Sequence, residues 1–570
     1  PLESFRDIAV RCIIRDTNDY GNILFWSYAP DHLVSGDAYS ISLEAVFSKE
    51  VKFGLSDRPC KSEKLSLTHG DIPVFTGFTD SCSLFIDGKL YTEQTGPADT
   101  FSQVIHRIGR LDLKVIQWQI KLINASFQMS FEKEKNKDAR TKIKRDFYTK
   151  ENPDLPISGR LIKEACLIGD ALERQAVIFE GAASWIKLVR PFDNSTSVNC
   201  AYSDPFLYNG TAGIALFLVN LYYASKNKKY FDLAKAALTY SVKVIGKLKE
   251  ASGFVIPLSA FTGLFGIIYA LTETGRLVDD SAFFDTALNL ACSIEQSDFL
   301  EYPDSDIMGG SAGIILVLLH LYNFRPDNKI LAMSKALLNS IIKCSEGKLG
   351  EKGWNINGFQ RPLTGMAHGA AGIAMAVSRF NSIIKSDYKL VHFSAADLES
   401  AIKNSITFEN SYFCDKEKDW PDLQHLKDRE KFFMEGWCSG APGIGLARLF
   451  TETQSSETNK IIQADIIRAL KTCTKNMSST KKHHLCCGES GRIMFLACAG
   501  IKADMPEYYE IALKAAINMI NFYKIKGFWR FQKVNERMIV HGLMGGVSGI
   551  GLTFLKLADQ ENISNILTLS

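Results

Sequence analysis

Cys486 and Cys487 stand side by side in the stretch KKHHLCCGESGRIMFL (residues 481–496), behind two histidines and directly before a Gly-x-x-Gly that opens an apolar run. Such a pair can be buried core thiols, a strained vicinal disulfide or metal ligands. The chain's 13 cysteines are an odd number and lack the short regular spacings of a secreted disulfide scaffold, which points to a reducing cytoplasm. A third cysteine, Cys438 in GWCSGAPG, sits at the same place relative to another glycine pair. Three thiolates can hold Zn²⁺ and leave the fourth tetrahedral position open, as a catalytic site requires; His483 and His484 are the runner-up ligands. A centre with three thiolates is formally anionic, so it activates water poorly and is better suited to keeping a substrate thiolate nucleophilic. Sulfur chemistry is therefore favoured over hydrolysis.

These residues are placed by an internal repeat. A Gly-x-x-Gly followed by an apolar run begins at Gly210, Gly263, Gly310, Gly369, Gly440, Gly488 and Gly546, at intervals of 47 to 71 residues. Each interval has room for a pair of helices and their loops. The runs after the glycines are apolar on nearly all sides and read as buried inner helices. Amphipathic segments between them read as outer partners: in FDLAKAALTYSVKVIGKLK, Phe231, Ala234, Leu238, Val242 and Ile245 recur at helical spacing. Glycine tolerates a tight opening turn and lets neighbouring backbones converge. Seven inner and seven outer helices predict a closed α/α toroid. Equivalent positions then lie on one ring, so Asn209, Asp306, His368, Cys438, Cys486 and Cys487, each one to four residues before its glycine, should converge at one mouth. The positive ends of the inner helices point there and favour thiolates.

The rest of the chain sets limits on this site. It has 570 residues, 46% of them hydrophobic, enough for one large core and a second smaller one. Sixty-six basic against 63 acidic residues leave a formal charge of +3, with no excess to suggest nucleic-acid binding. Apolar stretches such as GIILVLLHLY reach about half the roughly 20 residues that span a bilayer, so no transmembrane segment is expected. The first residues, PLESFRDIAVRC, lack the regions of a signal peptide and start abruptly, as a piece of a longer chain would. The charged stretch EKEKNKDARTKIKR (132–145) reads as a linker. It separates a smaller mixed α+β region (1–150), in which short β-prone runs alternate with turn residues, from the helical part (151–570).

In order, YNGTAGIALFL, DIMGGSAG, AHGAAG, GWCSGAPGIG and CCGESG resemble the lanthionine cyclase (LanC-like) family over residues from about 160 to 570. Upstream, RCIIRDTNDYGNIL, SYAPDHL and GDIPVFTGFTDS look like the last portion of a dehydratase domain. The whole chain thus resembles the C-terminal part of a class II (LanM-type) bifunctional lanthipeptide synthetase. That resemblance implies a ribosomal precursor peptide with a leader as substrate, dehydration of Ser and Thr through ATP- and Mg²⁺-dependent phosphorylation and elimination, and then thioether ring closure. It further implies a cytoplasmic enzyme, with an export transporter as a conceivable partner and peripheral association with the inner membrane compatible with the composition.

Carried over residue by residue, Cys438, Cys486 and Cys487 fall on the family's zinc ligands. His368 matches the proposed acid/base, and Asp306 an aspartate close to the reacting centre. His368 is then the candidate proton donor to Cα, with Asp306 orienting it or helping to deprotonate the thiol. Standalone cyclases usually end the ligand set Cys-His-Gly; this chain has Cys-Cys-Gly. Ser439 follows the first zinc cysteine where many cyclases have an aromatic or a histidine. Val74 and Cys82 stand where the dehydratase pattern tends to an aromatic after GDIP and a basic residue after TDS, which places phosphate elimination by this chain in question. Two other readings of the toroid stand beside cyclisation: a peptide-binding scaffold with structural zinc, and addition of a small thiol such as glutathione to dehydroamino acids. A toroidal glycosidase lacks its carboxylate pair in these motifs.

Overall fold

A computed structural model of the chain describes residues 2–12, 17–27, 58–86, 88–92, 99–113, 115–117, 119–120, 123, 156–189, 199–250, 255–295, 304–348, 351–354, 359, 361–383, 393–425, 432–475, 477, 482–531 and 540–570. The charged stretch 132–145, the boundary expected at 150 and most of SYAPDHL lie outside the described residues. The chain divides into two compact units, Pro1–Gln119 and Ile120–Ser570.

The first unit is the expected mixed α+β region. Strands β1 (Ala9–Cys12), β2 (Phe75–Phe78), β3 (Leu84–Ile86) and β4 (Lys89–Thr92) form an antiparallel sheet in that order, joined by helices α1 (Thr17–Ser27) and α2 (Arg58–Thr68) and followed by α3 (Thr100–Gly109). Phe75 lies opposite Ile86 across β2 and β3. With Leu84 they make a small buried cluster on one face, as the period of two along a strand requires. The Asp99 carboxylate caps α3 by accepting the Ser102 N–H at 2.7 Å.

In the second unit, α4 (Ile157–Gln175) leads into two small antiparallel hairpins, β5 (Val177–Phe179) with β6 (Ala182–Ser184) and β7 (Ile186–Val189) with β8 (Asn199–Tyr202). Helices then alternate. The inner set is α5 (Thr211–Ser225), α7 (Leu264–Val278), α9 (Ser311–Phe324), α11 (Ala370–Ile383), α13 (Ala441–Leu449), α15 (Glu489–Lys502) and α17 (Val547–Ala558). The outer set is α6 (Lys228–Glu250), α8 (Ser281–Cys292), α10 (Asn328–Lys343), α12 (Ala395–Ser411), α14 (Ser456–Lys475) and α16 (Pro506–Lys526), with α4 as its seventh member. A third hairpin, β9 (Ser345–Lys348) with β10 (Glu351–Trp354), follows α10.

The ring is closed. Each inner helix packs on the next, α17 packs back on α5, and α4, which precedes the first inner helix, pairs with α17, last in the ring. Burial follows the apolar pattern: every residue of α9 from Ser311 to Leu321 is buried. On α6, Ala234, Leu238 and Ile245 are buried, and Phe231 and Val242 pack against the same core from its margin. Each large aliphatic side chain so buried contributes about 1.5–3 kcal/mol.

The glycines work mainly through close approach. A Cβ at the second glycine of a pair would meet a carbonyl oxygen of its own preceding loop: Leu207 at 2.1 Å from Gly213, Trp437 at 2.0 Å from Gly443. Of the seven first glycines, Gly440 alone has positive φ, at +90°. At the others no left-handed turn is made, and glycine is needed because the loop folds back onto the helix start. The three hairpins interrupt what the sequence suggests is an almost wholly helical segment.

Candidate active site

The loops before the inner helices are stitched into a ring by main-chain hydrogen bonds. Tyr208 N–H donates to the Phe261 carbonyl at 2.8 Å, Met308 to Ala367 at 3.0 Å and Ala367 to Cys438 at 3.2 Å. Trp437 donates to Cys486 at 2.8 Å, Cys486 to Met544 at 2.9 Å and Met544 back to Tyr208 at 2.7 Å. Six of the seven junctions are closed in this way, so the loops of Cys438 and Cys486 are each fixed by both neighbours. This is the frame that holds Cys438 and Cys486 in register.

It brings three sulfurs together. Cys438 Sγ lies 3.2 Å from Cys487 Sγ, which lies 3.3 Å from Cys486 Sγ, and all three fall within 4.8 Å of one another. All three cysteines are free thiols, so the vicinal pair forms no disulfide. At a zinc–sulfur length of about 2.3 Å, tetrahedral sulfurs stand about 3.8 Å apart. The cluster fits that donor set with small side-chain adjustments. Hydrogen bonds among the sulfurs drive Cys487 down to about 3, from Cys438 first and then Cys486. Cys438 is pushed up by its bonds to Cys486 and Cys487 and by burial. A lowering bond from Cys438 acts on Cys486, but its contact with Cys487 and burial raise it overall. The three thiols are in mutual contact, so their titration belongs to the trio. Contacts among the sulfurs account for the lowered Cys487, while Cys438 and Cys486 are raised, against the general thiolate-favouring effect expected from the helix ends.

The runner-up ligands are turned elsewhere. His483 is packed edge-on against Phe522 and Trp529, and its Nδ1 accepts the Arg530 N–H at 3.2 Å. Burial pushes it down to about 4. His484 Nδ1 accepts the Cys487 N–H at 3.3 Å. Among the described residues, the group able to hold a metal consists of the three cysteines.

His368 and Asp306, from adjacent repeats, meet with Nδ1 and Oδ2 2.5 Å apart. Asp306 is buried and also accepts the Gly309 N–H at 2.7 Å, while about a quarter of the His368 side chain stays exposed. The Phe359 ring stands 6.0 Å from the imidazole. The His368 loop abuts that of Cys438 through the Ala367–Cys438 bond. Asn209 does not join them: its Oδ1 accepts the Gly545 N–H at 2.9 Å, sealing the last repeat to the first. Ser439 is buried next to Cys438. In the first unit Val74 is exposed just before β2, and Cys82 sits in the turn between β2 and β3.

Three features escaped the sequence. Tyr208 hydrogen-bonds Cys486, and burial together with the three sulfurs pushes its phenol well up. Arg448 and Arg492 are buried on inner helices; a charge inside an apolar inner run is the signal that would have found them.

Residues 202–568 match the family described as lanthionine synthetase C-like protein. The chain belongs to the lanthionine synthetase C-like family. Residues 1–77 match a domain of unknown function (DUF4135). This lanthionine synthetase C-like chain is 23% identical over 583 residues to the lacticin 481/lactococcin biosynthesis protein LcnDR2 of Lactococcus lactis subsp. lactis, covering 98% of the chain. It spans 57% of that protein's length. The expected relationship to the C-terminal part of a LanM-type synthetase is borne out. Solved structures similar to it include a nisin cyclase, at 19% identity and TM-score 0.49, covering 72% of this chain and 97% of that one. A glycoside hydrolase family 76 mannosidase from Bacteroides thetaiotaomicron stands at 10% and 0.38, covering 71% and 98%. The toroid rests on the closed ring of helices rather than on these two likenesses. Among the described residues no helix is long and apolar enough to cross a membrane.

Proposed function

We propose that the second unit of this lanthionine synthetase C-like chain closes thioether rings in a ribosomal precursor peptide carrying dehydroalanine or dehydrobutyrine. The convergence of Cys438, Cys486 and Cys487 within 4.8 Å, with the Cys438 loop bonded to the one that bears His368, carries this reading. Those three sulfurs are the proposed zinc ligands. Bound there, Zn²⁺ supplies the Lewis acidity that lowers the pKa of a substrate cysteine.

The chain's own residues handle the proton. In the addition, the substrate sulfur forms a bond to Cβ of the dehydroamino acid, the alkene electrons move onto the carbonyl as an enolate, and Cα then takes a proton. Asp306 on Nδ1 directs that ring proton to the carboxylate and leaves Nε2 for the substrate. His368 then takes the thiol proton as base and returns it to Cα as imidazolium. The partial exposure of His368 beside Phe359 gives a peptide access to this ring. Dehydration of Ser and Thr, with ATP and Mg²⁺, is assigned to the dehydratase domain whose end corresponds to residues 1–150, and cyclisation to 151–570, in a cytoplasmic enzyme acting on a leader-bearing peptide. The test is ring closure on a chemically dehydrated precursor. Acceleration lost in His368→Ala while zinc is retained supports the reading; an unaltered chain that holds zinc but never accelerates closure contradicts it and leaves a binding scaffold.

A further inference from the structure

The turn that carries His368 is tied at both ends to a single carboxylate on an outer helix. Glu409 Oε1, two residues from the end of α12, accepts the Gly365 N–H at 2.9 Å and the Ala371 N–H at 3.0 Å. The two donors flank His368 by three residues on each side. The other oxygen, Oε2, accepts from Arg448 Nη2 at 2.8 Å. Arg448 lies on α13, the helix that starts just after Cys438, and its Nε donates to Asp465 Oδ2 at 3.2 Å on α14. Asn410 and Arg468 complete the shell around Asp465. The Glu409, Arg448 and Asp465 side chains are all fully shielded from solvent.

A buried ion network of this kind is a weak source of stability, since desolvation offsets most of the attraction. What it fixes well is geometry: two amides converging on one oxygen leave the turn little freedom. The opposite oxygen binds the same turn to the helix behind Cys438. We infer that Glu409 is a positioning residue for His368, holding the imidazole against Asp306 and in register with the sulfur cluster. This inference rests on the cyclase reading for its kinetic consequence, but its geometric content does not.

Two substitutions separate the amide tie from the ion pair. Glu409→Asp keeps the charge beside Arg448 but is one methylene short of the Gly365 and Ala371 amides. Glu409→Gln keeps the reach and an acceptor oxygen but leaves Arg448 facing an amide. The chain as it stands, zinc-loaded and with labelled histidine, gives a hydrogen-bonded Nδ1–H resonance for His368, assigned by its loss in His368→Ala. Melting temperature, that resonance, and kcat and KM for ring closure are then measured on each variant.

The expected result is a crossed order. Glu409→Asp shifts or broadens the His368 resonance and lowers kcat about ten-fold or more, with KM little changed and no further loss when combined with His368→Ala. Glu409→Gln lowers the melting temperature more but keeps more of the resonance and of kcat. An unmoved resonance in a folded Glu409→Asp overturns the inference, and so does an equal kcat loss in the presence and absence of His368. Should Glu409→Asp not fold, Asp465→Asn, which loosens Arg448 from the far side, is read by the same resonance. If the unaltered chain never accelerates closure yet the resonance moves, the cyclase reading falls and the positioning role stands.

Discussion

The Trp437 main-chain N–H donates to the Cys486 carbonyl at 2.8 Å, while the Trp437 indole N–H donates to the Leu567 carbonyl at 3.0 Å. One residue thus joins the loop of the first cluster cysteine to that of the second and anchors both on the C-terminal tail. The same tail is held by Arg379, whose Nη1 donates to the carbonyls of Thr568 and Leu569 at 3.0 and 3.1 Å. The separation of the three sulfurs is therefore a property of the ring of loops, and perturbing a loop should disturb the sulfurs without touching them.

Gly443 offers that perturbation. An added Cβ would lie 2.0 Å from the Trp437 carbonyl and 2.9 Å from Met366 Cβ, so the loop must move. Gly443→Ala is expected to destabilise the fold by about 1–3 kcal/mol or more and to weaken zinc retention against a chelator. Gly246→Ala, on the exposed side of α6 with nothing within 4 Å of the new atom, should instead stabilise by about 0.5–1 kcal/mol and leave zinc unaffected. Denaturant titrations and chelator competition on the two variants test the contrast; similar behaviour of both would refute the close-approach account.

Proton handling should separate from zinc binding. His368→Ala is expected to lower kcat about 10²–10⁴-fold with full zinc content. Asp306→Asn, which removes the carboxylate 2.5 Å from Nδ1, should lower it less and also keep full zinc content. If either variant lost zinc in proportion to activity, the pair would be structural.

A buried carboxyl makes a stability prediction with a definite sign. Burial pushes Asp419 up to about 7, with Glu435 adding to the effect against the Trp420 amide. A folded pKa above the unfolded value of about 3.9 means that the folded state binds this proton more tightly. Its contribution to stability is complete below about pH 3.9 and is lost as pH rises through about 7. Between about pH 5.5 and 8, the urea midpoint of the zinc-loaded chain should fall. Asp419→Asn, which keeps an acceptor for the Trp420 N–H, should flatten that part of the slope. An unchanged slope would remove Asp419 from the account.

Much of the toroid was legible because its constraint is local. Each inner helix start folds against its own preceding loop, so every repeat must carry the glycine pair, and the residues before the pair inherit equivalent places on the ring. That is how the meeting of the three cysteines, and of His368 with Asp306, could be expected from spacing and resemblance. Asn209 satisfies the same spacing but is used at the seam, which its position alone does not reveal. The seventh outer helix, α4, precedes the first glycine pair and is recognised only when the ring closes on α17. The network of Glu409, Arg448 and Asp465 was hidden for a different reason, although the charge of Arg448 in an apolar run marks that one member. Its members act at separations of 39 and 17 residues across three helices, with no repeating interval to mark them.

The most direct measurement is zinc stoichiometry together with ring closure on a chemically dehydrated precursor, comparing the unaltered chain with Cys438→Ala, Cys486→Ala and Cys487→Ala. The account predicts close to one zinc per chain and accelerated closure for the unaltered protein, with both lost together in each variant while the helical fold persists. Full zinc content in any one of the three variants, or closure that survives the loss of zinc, would contradict it.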